Sequence, residues 1–494
     1  MQTDLIDACK TMAIDKKRCK SRKSHNTSSK KEVQHNPPAP HNSIIIVEPF
    51  YGGSHKQLVD LLFQELSVVE NRRVYLLKLP ATKWHWRLRC SALYFAEIAP
   101  KLSRNNQYIF FCSSMFDLST FLSLRPDYNS SNNSKKIVQK ILYFHENQLA
   151  YPTRQENAYK REIRDFQFGY IQILSSLVAD RVCFNSDFNR QSFLKNISAH
   201  FKKLPTNQKL IKGAIEKRIL SKSEILYSPI NVAKRSILID NKNNKVANNK
   251  PLHIVWNHRW EHDKNPLSFF QVISRLMEEV DNISISISVV GESFGEIPDT
   301  FHMYKKIFDL DNNYYNGKLN VKNWGYVDSK EAYFSILNDA DVVVSTALHE
   351  FYGVSVLEAV LHSCFPLVPN RLVYPEIYGI IPGAIYNTDN QLFKKLKDFA
   401  LRPNRFRLKK EKLLQSKAFY LQKYIWHNST IMDNKQLYNN DHIEQASRNL
   451  KLKYKRLFNV HTYNVRNSSA TNTNFILIMV LVLSVIAIFK YILM

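Results

Sequence analysis

The sequence predicts an α/β protein with two successive domains, each built on a mainly parallel β-sheet. Short apolar runs rich in β-branched residues recur along the chain, and segments with apolar residues at helical spacing separate them. This alternation covers residues 42–230, stops over a polar, Asn/Lys-rich linker at 231–250, and resumes over 251–400. With 494 residues, the chain is too long for one typical hydrophobic core, so two domains with additional terminal segments are expected.

The first domain begins with a strand that leads into a glycine pair. Its candidate strands lie at 44–47, 74–77, 108–111, 140–144, 181–184 and 225–230, and a long helix is predicted at 161–178. Gly52 and Gly53 separate the first strand from the first helix, although the whole chain has only 11 glycines. Residues without a Cβ atom let a ligand approach the backbone at a helix N-terminus. We therefore predict that both glycines line a ligand site; a plain tight turn is the alternative.

Polar residues follow the strand at 140–144, where His145, Glu146 and Asn147 come next. This position is the carboxyl end of a strand, where open α/β sheets place their ligands. We therefore predict a functional position for His145, with a purely structural histidine as the alternative.

An aromatic and basic cluster follows the second strand of this domain. Its members are Lys83, Trp84, His85, Trp86, Arg87 and Arg89. Tryptophan rings can stack on bases while cations contact phosphates; half-buried tryptophans beneath surface charges are the alternative. The chain has 69 basic and 43 acidic residues, a net charge of +26. Such an excess attracts a polyanion, either nucleic acid or an anionic membrane surface.

The second domain opens with two cations beside a strand-to-helix junction. Its candidate strands lie at 252–256, 283–290, 321–326 and 342–344. Arg259 and Lys264 follow the first of these strands, and Pro266 suits the first turn of the next helix. Two cations at such a junction can bind a diphosphate. As an isolated pair they would be ordinary surface charges.

The most informative stretch of the second domain is HEFYGVSVLEA at 349–359. It follows an apolar strand, and helical spacing resumes after Gly353, which predicts an anion site at a helix N-terminus. Glu350 precedes the turn and Glu358 lies on the helix. One carboxylate can then reach sugar hydroxyls and the other a ribose, with a diphosphate between them. Alternatively, Glu350 caps the helix and Glu358 is solvated.

The terminal segments differ in character from the two domains. Residues 1–41 form a basic arm that is predicted to be disordered, and 401–470 are predicted to be C-terminal helices and a basic linker. Residues 474–494 are long and apolar enough for a transmembrane tail anchor, and the basic residues before them are expected to keep the body of the protein in the cytosol. A buried terminal helix in a soluble cytoplasmic or nuclear protein is the alternative. The six cysteines lack CxxC spacing, which predicts neither a zinc site nor a disulfide framework.

These motifs carry a resemblance to known enzymes. The order of Gly-Gly, Arg-x4-Lys and Glu-x7-Glu resembles family 4 nucleotide-sugar glycosyltransferases, whose GT-B fold has two Rossmann-like domains facing a cleft. The longer motifs EPFYGGSHKQLVDLL, KILYFHENQLAYP and WNHRWEHDKNP resemble more closely the glycosyltransferase family identified with tRNA-queuosine α-mannosyltransferase. The resemblance covers roughly residues 43–400.

The resemblance implies mannose transfer from GDP-mannose to the queuosine nucleoside of tRNA-Asp, with retention of configuration and without a metal or other cofactor. Residues 42–230 would form the acceptor domain and 251–400 the nucleotide-sugar domain. The implied catalytic residues are Glu350, His145, Arg259 and Lys264. Donor-binding residues would be Gly52, Gly53, Arg259, Lys264, Glu350, Phe351, Tyr352, Gly353, Val354 and Glu358. Acceptor-binding residues would be His55, Lys83, Trp84, His85, Trp86, Arg87, Arg89, His145, Glu146 and Asn147.

Two other functions remain open at this point. A cytosol-facing, membrane-anchored glycosyltransferase that acts on a lipid or protein would suit the apolar C-terminus. A basic RNA-binding protein that has lost catalysis would suit the charge, although the presence of both glutamates, Arg259 and Lys264 argues against it. A nucleotide-sugar donor, a tRNA acceptor and a membrane are the expected partners, and no protein partner is predicted.

Overall fold

The computed structural model describes residues 42–103, 106–129, 137–151, 158–204, 213–231, 250–293, 297–309, 315, 317–426 and 441–458. The predicted basic arm at 1–41, most of the linker at 231–250 and the predicted transmembrane segment at 474–494 lie outside these residues. Within them, no helix is both long enough and apolar enough to cross a membrane.

The first domain is a six-stranded parallel sheet with helices between its strands. Its strands are β1 (Ser43–Tyr51), β2 (Val74–Pro80), β3 (Tyr108–Ser113), β4 (Ile137–Phe144), β5 (Arg181–Phe184) and β6 (Ser223–Ile225), followed by the short β7 (Ile230–Asn231). Its helices are α1 (Gly53–Gln64), α2 (Trp84–Ile98), α3 (Leu118–Leu124), α4 (Ala158–Val178), α5 (Asp187–Phe201) and α6 (Ala214–Leu220). The predicted strand at 225–230 is wrong as one element, because its two ends belong to β6 and β7 in different sheets.

The second domain repeats this plan with another six-stranded parallel sheet. Its strands are β8 (Leu252–Trp256), β9 (Ile285–Val290), β10 (Leu319–Gly325), β11 (Val342–Val344), β12 (Phe365–Pro369) and β13 (Ile385–Tyr386). Its helices are α7 (Pro266–Glu279), α8 (Asp299–Asp309), α9 (Lys330–Asp339), α10 (Val354–Leu361), α11 (Tyr374–Tyr378), α12 (Asp389–Leu401) and α13 (Pro403–Leu421). Pro266 is the first helical residue of α7 and Gly353 precedes α10, as predicted.

The strand order explains where a ligand can bind. The first sheet runs β2-β1-β3-β4-β5-β6 and the second β10-β9-β8-β11-β12-β13. The direction of winding therefore reverses between β1 and β3 in one sheet and between β8 and β11 in the other. Ligands of open α/β sheets bind outside the carboxyl ends of the strands at such reversals. The turns after β1, β8 and β11 open into one cavity between the two domains.

The C-terminal part of the chain returns to the first domain. Strand β14 (Ile425–Trp426) pairs with β7, and helix α14 (Asp441–Phe458) packs through Tyr454 and Phe458 into the same core as Ile44. Lys451, in the predicted basic linker, pairs with Glu65 of the first domain at 3.2 Å. The prediction for 401–470 named helices and a linker without assigning them to a domain. The structure assigns α14 to the first.

Polar contacts at the base of the cavity join the two domains. Ser186 Oγ donates to the carbonyl oxygen of Phe351 at 2.7 Å, so the loop after β11 is tied to the start of α5. The carboxylate of Glu376 accepts hydrogen bonds from the backbone N–H groups of Asp187 and Phe188 at 3.0 and 2.9 Å. The second domain thus caps a helix of the first, which fixes how the two walls of the cavity face each other.

Candidate active site

A cavity of about 800 Å³ lies between the carboxyl ends of the two sheets. It brings together predicted site residues that are far apart in the sequence. Those that line it are Gly52, Gly53, His55, His145, Glu146, Arg259, Lys264, Glu350, Phe351, Tyr352, Gly353, Val354 and Glu358. All of the predicted catalytic and donor-binding residues therefore share one chamber, whereas most of the predicted acceptor-binding residues lie outside it.

Lys264 is a buried cation in the wall of the second domain. Its Nζ donates to the carbonyl oxygen of His349 at 2.7 Å and lies 3.2 Å from a carboxylate oxygen of each of Asp263 and Glu350. Burial opposes the charge of Lys264, but these two carboxylates outweigh it, and the pKa of Lys264 is raised. The ammonium group is therefore charged and held in one place.

Glu350 is the acidic partner of Lys264 and also hydrogen-bonds the turn that follows it. Its Oε1 accepts from the N–H groups of Phe351 and Tyr352 at 3.1 and 3.3 Å. Burial would raise the pKa of Glu350, but Lys264, His258 and the turn N–H groups bring it down to about 2. The alternative prediction that Glu350 caps α10 is wrong, because its hydrogen bonds go to the turn before the helix. Glu350 is an ionised group of the cavity wall.

The N-terminus of α10 opens into the cavity beside Glu350. Gly353 has a φ of +79°, which favours glycine, and no side chain among the described residues caps the helix. The first N–H groups of α10 are therefore free for an anion, with the positive end of the helix dipole behind them. Arg259 adds a more accessible cation: its side chain is 44% exposed and pairs with Glu261 at 3.2 Å.

Glu358 lies one turn further along α10 and is only 8% exposed. Burial raises its pKa to about 7, although the charge of Lys330 and a hydrogen bond with Tyr333 act in the opposite direction. The alternative prediction of a solvated carboxylate is therefore wrong. Glu358 is a buried acid that lines the cavity.

His55 and His145 line the opposite wall, in the first domain, and the buried Glu48 contacts His55. Glu48, inside β1, is 1% exposed, and it accepts hydrogen bonds from Ser113 Oγ at 3.0 Å and His55 Nδ1 at 3.1 Å. The imidazole of His55 stacks on that of His145, with ring centroids 3.9 Å apart. Ligand atoms of these side chains lie within 4.8 Å of one another, near enough for a metal ion. However, the rings lie face to face and Glu48 already accepts hydrogen bonds, which suits a hydrogen-bonded cluster.

The glycine pair has two separate roles. A Cβ atom on Gly52 would lie 2.4 Å from the Cβ of Ala81, so this glycine allows the turns after β1 and β2 to pack together. Gly53 has a φ of +49°, and nothing stands within 4 Å of the position of its missing Cβ. Both line the cavity, but only Gly53 leaves open space for a ligand.

The aromatic and basic cluster lies on α2, outside the residues that line the cavity. Trp84 stacks on His85 with ring centroids 3.7 Å apart and packs against Phe168 at 5.1 Å. Arg89 lies over the same Phe168 ring. Trp86, in contrast, is 62% exposed. The half-buried alternative therefore describes Trp84, and Trp86 remains available to a partner.

Asn147 does not belong to the site. Its side chain is fully buried, with Nδ2 donating to Asn189 Oδ1 and Ser192 Oγ at 2.8 and 3.0 Å. Its Oδ1 accepts from the N–H of Ala150 at 2.9 Å. The prediction that Asn147 binds the acceptor is wrong, because α5 and the loop after β4 occupy the hydrogen-bonding groups of its buried side chain.

Two similarities to known proteins show the family of this chain. Residues 43–230 match a family model described as tRNA-queuosine alpha-mannosyltransferase N-terminal. The tRNA-queuosine alpha-mannosyltransferase of Drosophila melanogaster is 39% identical over 382 residues, which cover 76% of this chain and 92% of that protein. The chain belongs to the tRNA-queuosine α-mannosyltransferase family. It is a glycosyltransferase, and the resemblance of its long motifs is confirmed.

Solved structures support the fold of this family member. A glycosyltransferase from Rickettsia africae ESF-5 has a TM-score of 0.51 at 14% identity, covering 85% of this chain and 99% of that structure. Sucrose-phosphate synthase from Thermosynechococcus elongatus has a TM-score of 0.50 at 12% identity, covering 84% and 99%. At these identities the likeness concerns the fold alone. The two parallel-sheet domains of the predicted GT-B architecture are confirmed.

Some residues in and around this cavity were not predicted from the sequence. Tyr151 lines the cavity from the first domain, and its ring lies 4.3 Å from that of His349 in the second. Asp328 lines the cavity beyond β10, next to the exposed Tyr326. Glu48 gave one usable signal, since an acid interrupts the apolar run of β1. A charge inside a buried strand requires a partner.

Proposed function

We propose that this member of the family transfers mannose from GDP-mannose to the queuosine nucleoside of tRNA-Asp, with retention of configuration. One observation carries the proposal: the ionised pair of Lys264 and Glu350 lies beside the open N-terminus of α10, in the wall of the cavity between the domains. A cation and free N–H groups for a diphosphate are thus joined to a carboxylate for a sugar. The name of the Drosophila relative supports the choice of acceptor.

The leaving group sets the electrostatic requirement. When the sugar separates from the donor, negative charge develops on the diphosphate, and preorganised positive groups lower the energy of that state most effectively. Lys264, Arg259 and the N–H groups of α10 are proposed to supply them. Lys264 needs no reorganisation during the reaction, because three oxygen atoms already hold its ammonium group.

Glu350 and Glu358 are proposed to bind the sugar and the ribose. Glu350 is ionised at neutral pH, and its carboxylate can orient mannose hydroxyls next to the phosphates. Glu358 stands about one helical turn or more further from the open end of α10, in reach of the other end of a nucleotide. Its raised pKa makes it a carboxylate that accepts hydrogen bonds from ribose mainly above neutral pH.

Two residues that line the cavity beyond β10 support guanine over uracil in the donor. They are Asp328 and Tyr326, and Tyr326 is 62% exposed, so its ring is available for stacking. Guanine presents two adjacent donors, N1–H and the 2-amino group, which a carboxylate can accept together. Uracil presents one N–H between two carbonyl oxygens, which a carboxylate repels. We therefore assign the base-reading role to Asp328.

The proposed chemical step uses the donor's own phosphate. The bond between the mannose anomeric carbon and the diphosphate oxygen breaks through an oxocarbenium-like state. An acceptor oxygen forms the new bond on the same face, and its proton passes to the departing diphosphate. Positive groups of the protein take the role of a metal ion in this scheme, so chelators should leave the activity in place.

The acceptor is proposed to approach over the first domain. Trp86 on α2 is exposed, and Lys83 precedes it at the start of the same helix. An aromatic ring and a cation can engage a base and a phosphate of single-stranded RNA. The excess of positive charge favours the same partner.

One observation favours a second function, in which a lipid or protein accepts the sugar. The apolar segment at 475–489, outside the described residues, could hold the enzyme at a membrane with its catalytic domains in the cytosol. The two functions are separated by incubating the full-length protein with labelled GDP-mannose, queuosine-containing total tRNA and membranes. Label in tRNA supports our proposal; label in lipid or protein alone supports the second function. Parallel reactions with labelled UDP-sugars test the donor base.

A further inference from the structure

Glu48 is a buried carboxylate that the proposed mechanism does not yet use. It lies inside β1 with 1% of its surface exposed. Among the described residues, its one ion pair is with His55, at 3.1 Å. The N–H of Phe50 and the hydroxyl of Ser113 donate to its other oxygen at 2.9 and 3.0 Å. A buried carboxylate is costly unless paired, and two of the three partners of Glu48, Phe50 and His55, line the cavity.

His55 is fixed on two sides and faces the cavity with the rest of its ring. Its Nδ1 donates to Glu48, and one ring face is covered by His145 at 3.9 Å. Both constraints leave Nε2 as the nitrogen that can meet a ligand. His55 also stands in the first turn of α1, a helix of 12 residues that no side chain in the described part of the chain caps. The free N–H groups of that turn border the same cavity.

The surroundings of His55 favour its charged form. Burial opposes protonation, but the charge of Glu48 and its hydrogen bond outweigh burial, and the pKa of His55 is raised. Glu146, beyond β4, adds to this effect, whereas Arg259, across the cleft, opposes it. Burial lowers the pKa of the stacked His145 well below its usual value. The stack therefore consists of one imidazole that favours its charged form and one that stays neutral.

We propose that Glu48 is a positioning residue that holds His55 so that Nε2 donates a hydrogen bond to the donor diphosphate, opposite Arg259 and Lys264. The N-terminus of α1, in the first domain, then binds the diphosphate from one side. The N-terminus of α10, in the second domain, binds it from the other. No proton is transferred by His55 in this role. The inference rests on the proposed transfer from a nucleotide sugar and adds a residue pair to it.

The test removes the negative charge of Glu48 and keeps the shape of the side chain. In Glu48→Gln, the pKa of His55 should fall, as measured from the pH titration of the His55 ring signal in nuclear magnetic resonance spectra. If the charged ring is required, the alkaline limb of the kcat/KM profile should move to lower pH, with a loss of about tenfold or more at pH 8 and a smaller loss at pH 6. The matched control is Ser113→Ala, which removes a neutral hydrogen bond to Glu48 and should leave that limb in place.

A readout without turnover keeps the inference testable if Glu48→Gln does not fold. Adding GDP to the wild-type protein should raise the pKa of His55, because a bound diphosphate favours the imidazolium. An unchanged His55 titration with GDP bound would overturn the inference, as would an unchanged pH profile in folded Glu48→Gln. Movement of the acid limb instead would identify neutral His55 as a base and would also overturn it. If the wild type binds GDP with the expected titration but transfers no sugar, the proposed function fails and the positioning role stands.

Discussion

Lys264 and Glu350 form a buried ion pair, with Nζ 3.2 Å from Oε2, at the point where the second sheet reverses its winding. Lys264 follows β8 and Glu350 follows β11, the two strands that flank the reversal. The pair therefore joins the two loops that a ligand at this position must touch. Its polar atoms are satisfied without a ligand, which leaves a rigid, charged surface facing the cavity.

Replacing Glu350 by Gln should reduce turnover by about a hundredfold or more while the protein stays folded. The carboxylate charge that orients the sugar is lost, but Lys264 keeps Asp263 at 3.2 Å and the carbonyl oxygen of His349. Steady-state kinetics and a thermal melt are the measurements. Glu279→Gln is the control, since this exposed glutamate of α7 pairs only at the surface with Arg275. Near-normal turnover in Glu350→Gln would exclude the role.

Donor binding should depend on pH through Glu358. Its pKa is about 7, so the carboxylate that accepts from the ribose is lost as the pH falls through 7. GDP affinity, measured by calorimetry, should therefore drop by roughly up to tenfold from pH 8 to pH 6 relative to the same comparison in Glu358→Gln. The variant isolates this effect from that of His55, whose protonation acts in the opposite direction. Identical pH dependence in both proteins would contradict the assignment.

The two tryptophans of α2 should behave differently. Trp86→Ala should weaken tRNA binding at high and low salt by roughly 1–3 kcal/mol, because stacking is screened little by ions, and it should leave the melting temperature unchanged. Trp84→Ala should lower the melting temperature, since its ring packs on Phe168. Lys83→Ala should reduce the salt dependence of binding. An unaltered tRNA affinity in folded Trp86→Ala would remove this residue from the acceptor surface.

The fold was predictable because its strands are buried on both faces. A strand that is buried on both faces is a continuous apolar run without alternation of polar residues. Ile44 and Val343 belong to such runs, and both are completely buried. The sheet against which α14 packs was not predictable. An amphipathic pattern shows that a helix has a buried face, but it does not identify the sheet that this face contacts. For the same reason, no sequence signal assigned Tyr454 to the first domain, where it packs.

The site was predictable where the chain has special geometry and not where it has ordinary polar residues. Gly353 and Glu350 mark a turn between a strand and a helix, and both line the cavity. Asn147 follows a strand in the same manner, yet its side chain turns into the protein. The contact between Glu48 and His55 depends on how the turn after β1 folds back, which the order of residues does not specify.

Truncation should separate the C-terminal helix from the apolar tail. A chain that ends at Arg466 retains α14 and should remain folded and active without membrane association. A chain that ends at Asn440 loses Tyr454, Leu457 and Phe458, which are 1%, 1% and 0% exposed. Each such side chain stabilises the protein by about 1.5–3 kcal/mol, a large part of a typical stability. This shorter chain should be insoluble or unfolded.

Carbonate extraction of the full-length protein from cell membranes tests the remaining tail. Retention in the membrane fraction is expected if residues 474–494 form an anchor. Release into the supernatant, with the Arg466 truncation behaving identically, would contradict the tail-anchor prediction.

Transfer of labelled mannose from GDP-mannose to matched tRNA preparations, with and without queuosine, tests the central claim most directly. Both preparations carry the same phosphates, so they should bind with similar strength, and only the chemistry distinguishes them. We expect label in the queuosine-containing tRNA, its loss in Glu350→Gln, and none in the queuosine-free tRNA. Equal labelling of both preparations, or labelling of neither by folded wild-type protein, would contradict the proposed function.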